Sequence, residues 1–390
     1  MSLTETSQTS IMKTYNRFPI TAVKGEGSYL YEAAGMKYLD FTSGIATCNL
    51  GHQPKGVKSA VKDQLDLLWH CSNLYHIPKQ QELAELLAEK SCFDAVFFCN
   101  SGTEANEAAI KLVRKWSNKE TIVTFTKSFH GRTLGSLSAT AQTNLQEGFG
   151  SLLEGFHYLP YNEFESLKSL EELKPAAVMF ELVQGEGGVR PADHQWISQL
   201  VDVCQSNNIL LVVDEVQTGM GRSGTLFAYE QYGFEPDIMT LAKGLGSGFP
   251  IGAMLAKETI GSAFGPGSHG STFGGNPLAS AAAVETVKQI SSLLPEVNQT
   301  STYLLNEIKN LSEKSSSIID VRGLGLLLGI EVRNAAHYMT HLREKGVLVL
   351  TAGATVLRIL PPLNVTHDEV NHFLNILTEV FQTEEEGEQE

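Results

Sequence analysis

From about residue 94 the chain alternates short apolar runs with longer amphipathic ones, and this rhythm limits the possible folds more than any other feature. The apolar runs fall at 95–99, 121–125, 176–180, 209–213, 238–241 and 252–256. They are too short for helices, and most lack the polar alternation of a strand with one wet face, so both faces are expected to be covered. Helical periodicity at 104–116 and 195–206 supplies crossovers between them. The expectation is an α/β fold with a mostly parallel sheet and helices on both faces.

The flanks read differently. Residues 25–31 and 35–41 form a candidate hairpin, 54–68 and 79–90 carry helical periodicity, and an alanine-rich helix is expected over 278–290. An α+β segment follows, with strands near 325–332, 347–350 and 356–360. At 390 residues the chain is long for one hydrophobic core. The economical layout is a large domain over 46–275 and a small one built from 11–45 and 276–382. The ends, 1–10 and 383–390, are expected to be disordered, the latter being an acidic run.

Composition narrows the function classes. A net charge of −15 argues against a nucleic-acid partner, which needs a basic face. Five cysteines without CxxC spacing suit a reducing compartment and give no zinc signature or other metal site. Without a signal-like N-terminus or an apolar run of membrane-spanning length, the expected location is the cytoplasm, with no membrane partner.

Ligands of open α/β sheets bind beyond the carboxyl ends of the strands, and charged residues gather there in this chain. The run 210–213 delivers Asp214, with Gln217 three residues on, and the run 237–242 delivers Lys243 into a glycine-rich turn. An acid and an amine in one cleft suit pyridoxal phosphate, which needs a lysine for its Schiff base and an acid for its ring nitrogen. Taken singly, Asp214 reads reasonably as a helix cap, and Lys243 reads far more readily as a solvated loop lysine; their concentration with other charges at strand ends shifts that balance. The turn Asn100–Asn106 opens a helix, and its N–H groups with Ser101, Gly102 and Thr103 would suit a phosphate; simple capping accounts for it equally well. Phe129 offers a flat face and Arg132 a carboxylate fork, whereas His130 alone reads as a packing residue. Glu181 and Glu186 follow the run 176–180. Thr272 sits in a glycine-rich turn, and Arg358 lies inside an apolar strand, where it needs a partner or a ligand carboxylate.

Together and in this order, the segments 100–106, 129–133, 184–188, 214–219, 243, 270–277 and 358–362 resemble the class III aminotransferases of fold-type I. The likeness runs from about Tyr15 to Asn364. It implies a large domain with a seven-stranded, mostly parallel sheet, pyridoxal 5′-phosphate as cofactor, and a homodimer with shared active sites. Lys243 and Asp214 would be catalytic, Lys243 holding the cofactor and Asp214 pairing with its ring nitrogen. Gln217 would bond the phenolic oxygen and Phe129 would stack on the ring. Ser101, Gly102 and Thr103 would hold the phosphate, joined by Thr272 of the partner subunit.

Tyr15–Pro19 and Thr42–His52 look most like the acetylornithine branch; ornithine-specific members typically carry a tyrosine where Ile45 stands. Tyr15, Ile45, Arg132, Glu186 and Arg358 would be the substrate readers. Arg132 would take the α-carboxylate of N-acetylornithine, and Glu186 would neutralise Arg358 until glutamate or 2-oxoglutarate displaces it. Ornithine, 4-aminobutyrate and succinyl-diaminopimelate are the alternative amine donors. A catalytically silent binding module of the same fold is the alternative of another class. One departure, Leu182 where the family often has proline, touches none of these roles.

Overall fold

The structure is a computed structural model and describes residues 10–387; the expected disorder of 1–9 and 388–390 lies outside them. At its centre is a seven-stranded sheet in the order Ala95–Cys99, Gly252–Ala256, Ile238–Leu241, Leu210–Asp214, Ala177–Phe180, Ile122–Phe125, Phe156–Leu159. Gly252–Ala256 runs antiparallel to both neighbours, and every other pairing is parallel. The expected α/β architecture is therefore present. The strands Ile122–Phe125, Ala177–Phe180, Leu210–Asp214 and Ile238–Leu241 are buried at every position, which accounts for their continuous apolar sequence.

Helices cover both faces. Gly102–Ser117 turns Ala105, Ala108, Ala109, Leu112 and Val113 inward, a stripe at helical spacing whose small residues bring its axis close to the sheet. His194–Ser206 packs Trp196, Ile197, Leu200, Val201 and Cys204, and begins where the Asp193 carboxylate accepts N–H bonds of 2.9 Å from Gln195 and Trp196.

The two chain ends meet. Lys37–Asp40 pairs antiparallel with Tyr29–Glu32 and parallel with Val347–Leu348. Asp320–Leu324, Leu327–Glu331, Val356–Ile359 and Leu350–Ala352 form a second four-stranded antiparallel sheet in that order, and Arg358 lies on its third strand. The segment expected as one strand over 25–31 is split at Gly27 into Ala22–Glu26 and Tyr29–Glu32. The strand expected near 325–332 is one arm of a hairpin turning at Gly325. The alanine-rich helix does not stop at Ile290 but runs over Pro277–Ser312, passing through Pro295 and resuming its buried stripe at Val297, Ser301, Leu304, Ile308 and Leu311. The last helix, His367–Gly387, enters the acidic run expected to be disordered, so its first residues are helical.

Arg222 pins these parts together. Its guanidinium is wholly buried and donates to the carbonyls of Leu326 (3.0 Å) and Pro361 (2.5 Å) and to Asn49 Oδ1 (2.8 Å). No carboxylate faces it among the described residues, and burial pushes it down to about 9. Such a charge is tolerable only while all three acceptors stay in place, which ties the loop after Asp214 to the segment after Arg358.

Candidate active site

A cavity of about 410 Å³ opens beyond the carboxyl ends of the parallel strands. Strand register explains what meets there. Asp214 is the last residue of its strand and lies opposite Thr240, so Lys243 follows just past the sheet edge. The antiparallel strand places Gly252 against Cys99, which brings the Asn100–Thr103 turn to the same rim. Ser101, Gly102, Thr103, Phe129, Arg132, Glu186, Asp214, Gln217 and Lys243 all border the cavity.

Asp214 is held by three donors. Oδ2 accepts from Asn106 Nδ2 and His130 Nδ1, each at 2.8 Å, and Oδ1 accepts from the Val216 N–H at 3.0 Å. His130 is thus more than the packing residue expected from sequence. It is buried with Asp214, its Nε2 has no partner among the described residues, and Asp214 lies 84 residues away in the chain. Asn106 is fixed in turn by the Thr240 hydroxyl (2.7 Å) and by donating to the His130 carbonyl (2.6 Å). In the sequence Asn106 stands out only as the end of the 100–106 segment, and Thr240 only as a polar residue in an apolar strand; neither points to Asp214.

Burial is the main cause that brings the Lys243 amine down to about 8. Glu186 opposes it, Arg358 adds to it, and Asp214 and Glu181 oppose it. Glu181, beneath the cavity, is pushed well above the usual carboxylate range by burial and then by the charge of Asp214, although the Phe129 N–H bonds it at 2.9 Å. Arg358 is buried and pairs with Glu186 Oε1 through Nη1 at 2.5 Å, with Gln217 Oε1 at 3.3 Å beside it. Burial pushes Glu186 upward, but the charge and hydrogen bond of Arg358, with Lys243 and Gln217, leave it below its ordinary value.

At the opposite rim Ser101 caps the Gly102–Ser117 helix, its hydroxyl accepting from the Glu104 N–H at 3.4 Å, while the Glu104 carboxylate takes the Asn100 N–H at 2.6 Å. The first N–H groups of that helix have no partner within it. Gly102 is required, because a Cβ there would stand 2.7 Å from a Val216 methyl. Arg132 is exposed at the mouth, its guanidinium 5.5 Å from the centre of the Phe129 ring.

Two expected substrate readers and one expected phosphate residue stand apart. Tyr15 (75 % exposed) and Ile45 (45 % exposed) do not border the cavity, and exposed Thr272 lines a neighbouring one that shares Asn100. Asn100 Nδ2 reaches Ser271 Oγ at 3.3 Å across that boundary.

The residues fit pyridoxal phosphate. A buried amine of lowered basicity, a carboxylate held by three donors, an aromatic ring and a helix start with open N–H groups converge on one space. That is the set needed for its aldehyde, ring nitrogen, ring face and phosphate.

The aminotransferase class-III family model matches residues 10–381. An acetylornithine aminotransferase from Oceanobacillus iheyensis is 54 % identical over 389 residues, covering 97 % of this chain and 98 % of that protein. One from Listeria innocua is 53 % identical over 376 residues, with 95 % and 97 % covered. Among solved structures, N-acetylornithine aminotransferase from Stenotrophomonas maltophilia matches with a TM-score of 0.82 at 36 % identity, covering 93 % of this chain and 96 % of that one. Ornithine aminotransferase from Toxoplasma gondii matches with a TM-score of 0.93 at 29 % identity, with 97 % and 94 % covered. On the match of the family model to residues 10–381 and on these identities, the chain belongs to the class-III aminotransferases.

Proposed function

We propose that the protein transfers the δ-amine of N2-acetyl-L-ornithine to 2-oxoglutarate, giving N-acetyl-L-glutamate 5-semialdehyde and L-glutamate, a step of arginine biosynthesis. The observation that carries this reading is the ion pair of Arg358 with Glu186, the latter bordering the cavity of Lys243 and Asp214. It lets one site serve an ω-amine and an α-amino acid. The choice of donor is supported by the relatives named acetylornithine aminotransferase, at 54 % and 53 % identity, against 29 % for the ornithine enzyme.

When bound, pyridoxal 5′-phosphate supplies an electron-withdrawing ring that stabilises the charge left on the amine-bearing carbon as it loses its proton. Lys243 would anchor it through Nζ; once the substrate amine has taken over that bond, the freed Nζ would take the proton from Cδ of acetylornithine or Cα of glutamate. With the amine brought to about 8, an appreciable fraction is unprotonated near neutral pH. Asp214 would pair with the ring nitrogen, and His130 with Asn106 keeps its carboxylate from turning away. Ser101, Gly102 and Thr103 would hold the phosphate, Phe129 would cover the ring and Gln217 would bond its phenolic oxygen. Arg132, free at the mouth, takes the α-carboxylate of acetylornithine by a bidentate fork. Meanwhile Glu186 neutralises Arg358, which would otherwise capture that carboxylate in the wrong place. Glutamate and 2-oxoglutarate, with a second carboxylate, displace Glu186 and engage Arg358.

The functional unit is proposed to be a homodimer that places Thr272 at the partner's phosphate site and Tyr15 and Ile45 beside a substrate. Supporting it, Leu67 (78 % exposed), Trp69, Leu74 and Tyr75 form an apolar surface next to Phe273, and Asn73 ties this segment to the carbonyls of Ser271 and Gly274 at 3.0 Å. The pairing of the chain ends supports two domains, 46–275 and 11–45 with 276–382. A cytoplasmic location is proposed, supported by five free cysteines; among the described residues no helix is long and apolar enough to cross a membrane.

The test is a comparison of N-acetylornithine, ornithine, 4-aminobutyrate and succinyl-diaminopimelate as donors to 2-oxoglutarate. The highest kcat/KM is expected with N-acetylornithine. A higher value with any other donor would reassign the substrate.

A further inference from the structure

Glu186 borders two cavities. One is the active site; the other, of about 240 Å³, lies on its far side and is lined by Lys127, Arg190, Arg322 and Glu331 among others. Three of these four are cations in a chain of net charge −15. Arg322 is already committed, donating to Asp320, Glu331 and the carbonyls of Gly188 and Val189. Lys127 and Arg190 have no carboxylate partner among the described residues.

We propose that this second cavity receives the Glu186 carboxylate, with Lys127 as the cation it meets, whenever Arg358 is surrendered to a substrate carboxylate. The proposal rests on the Glu186–Arg358 exchange argued above and adds where the displaced charge goes. Three features of the chain support it.

The Glu186 side chain is one-third exposed, 33 %, while Arg358 is only 3 % exposed. The acid is therefore the member of the pair that can leave, and it can do so by turning about its own bonds. The backbone around it is built for close approach: a Cβ on Gly187 would lie 2.8 Å from the Lys127 carbonyl oxygen, and Gly188 has φ +101°. Lys127 itself is held at φ +67°, in the left-handed region that a lysine avoids. Its N–H is tied to the Ala141 carbonyl at 3.0 Å, and its carbonyl receives Gln142 Nε2 at 3.4 Å. A conformation that costs energy and is clamped from both sides marks a position with a job beyond packing. Here the job is to root a cation beside the segment that carries Glu186.

A carboxylate leaving a guanidinium must be compensated by water or another cation. Glu331, also on this cavity, would repel it but is itself paired with Arg322. Lys127 is solvent-facing, so the gain is modest and the expected effects are several-fold rather than thousands-fold.

The test measures each half-reaction of the holoenzyme separately, with N-acetylornithine alone and with glutamate alone. It adds calorimetric binding of glutarate, a dicarboxylate that carries no amine to transfer. For Lys127→Glu, which would hold Glu186 on Arg358 by repulsion, the glutarate Kd and the glutamate KM should each rise about tenfold, with the acetylornithine half-reaction unchanged. Lys127→Met should give about a threefold rise, and Lys127→Arg should behave as wild type. Unchanged glutarate binding in Lys127→Glu, or equal slowing of both half-reactions, overturns the proposal. If wild type fails with N-acetylornithine, the donor assignment falls, while glutarate binding still decides the role of Lys127.

Discussion

Asp214 and Glu186 are carboxylates of the same cavity, yet the chain treats them in opposite ways. Asp214 ends a wholly buried strand and is gripped by Asn106, His130 and the Val216 N–H. Glu186 sits between glycines on a turn, one-third open to solvent, with Arg358 as its ion-pair partner. A group that must face one fixed atom through every step gains from over-determined bonding. A group that must yield to a substrate needs a bond another carboxylate can replace. On the proposed roles, the difference separates cofactor chemistry, which is constant, from substrate choice, which alternates.

Substitutions can break this contrast. Lys243→Ala should lose turnover by roughly 10⁶-fold, the scale at which a covalent catalytic unit is dismantled, together with the absorbance of the lysine-bound cofactor. Retention of both would remove Lys243 from its role. Asp214→Asn keeps the shape but not the charge. It should cost about 10³-fold in kcat with both donors alike, measured in separate half-reactions.

Glu186→Gln should do something different in kind. With Arg358 left unneutralised, kcat/KM for N-acetylornithine should fall about tenfold while glutamate binds several-fold more tightly. Equal losses for both substrates would make Glu186 a fixed residue like Asp214. The smallest effect concerns pH. Lys243 is reactive only when deprotonated, and burial lowers it to about 8. The rate at which cofactor-free protein recombines with pyridoxal phosphate should therefore rise with pH through about 8, rather than only near an ordinary lysine's value. Stopped-flow absorbance across that range reads the midpoint.

Much of the fixed region was legible in the sequence, because Asp214 and Lys243 follow mostly apolar runs and strand ends are where ligands bind. Its supports were not. His130 and Asn106 reach Asp214 from 84 and 108 residues away, and no local pattern encodes such contacts. The edge strand Phe156–Leu159 escaped notice because His157 and Tyr158 are exposed, leaving no continuous apolar run. The helix past Ile290 was obscured by Pro295, whose cost is met by packing that resumes at Val297. For the movable region, the resemblance named Glu186 and Arg358, but only the fold shows a second cationic cavity behind Glu186. Tyr15, Ile45 and Thr272 are exposed and do not border the cavity, so their expected roles rest on the proposed dimer.

The central claim is that one cavity passes an amine from the end of an acylated diamino acid to the α-carbon of 2-oxoglutarate. Supplying N-acetylornithine labelled with ¹⁵N only at its δ-nitrogen, with unlabelled 2-oxoglutarate, tests it directly by mass spectrometry of the products. The account predicts ¹⁵N in the α-amine of glutamate, with one semialdehyde formed for each. Label that stays in acetylornithine, or leaves as ammonia, would contradict it.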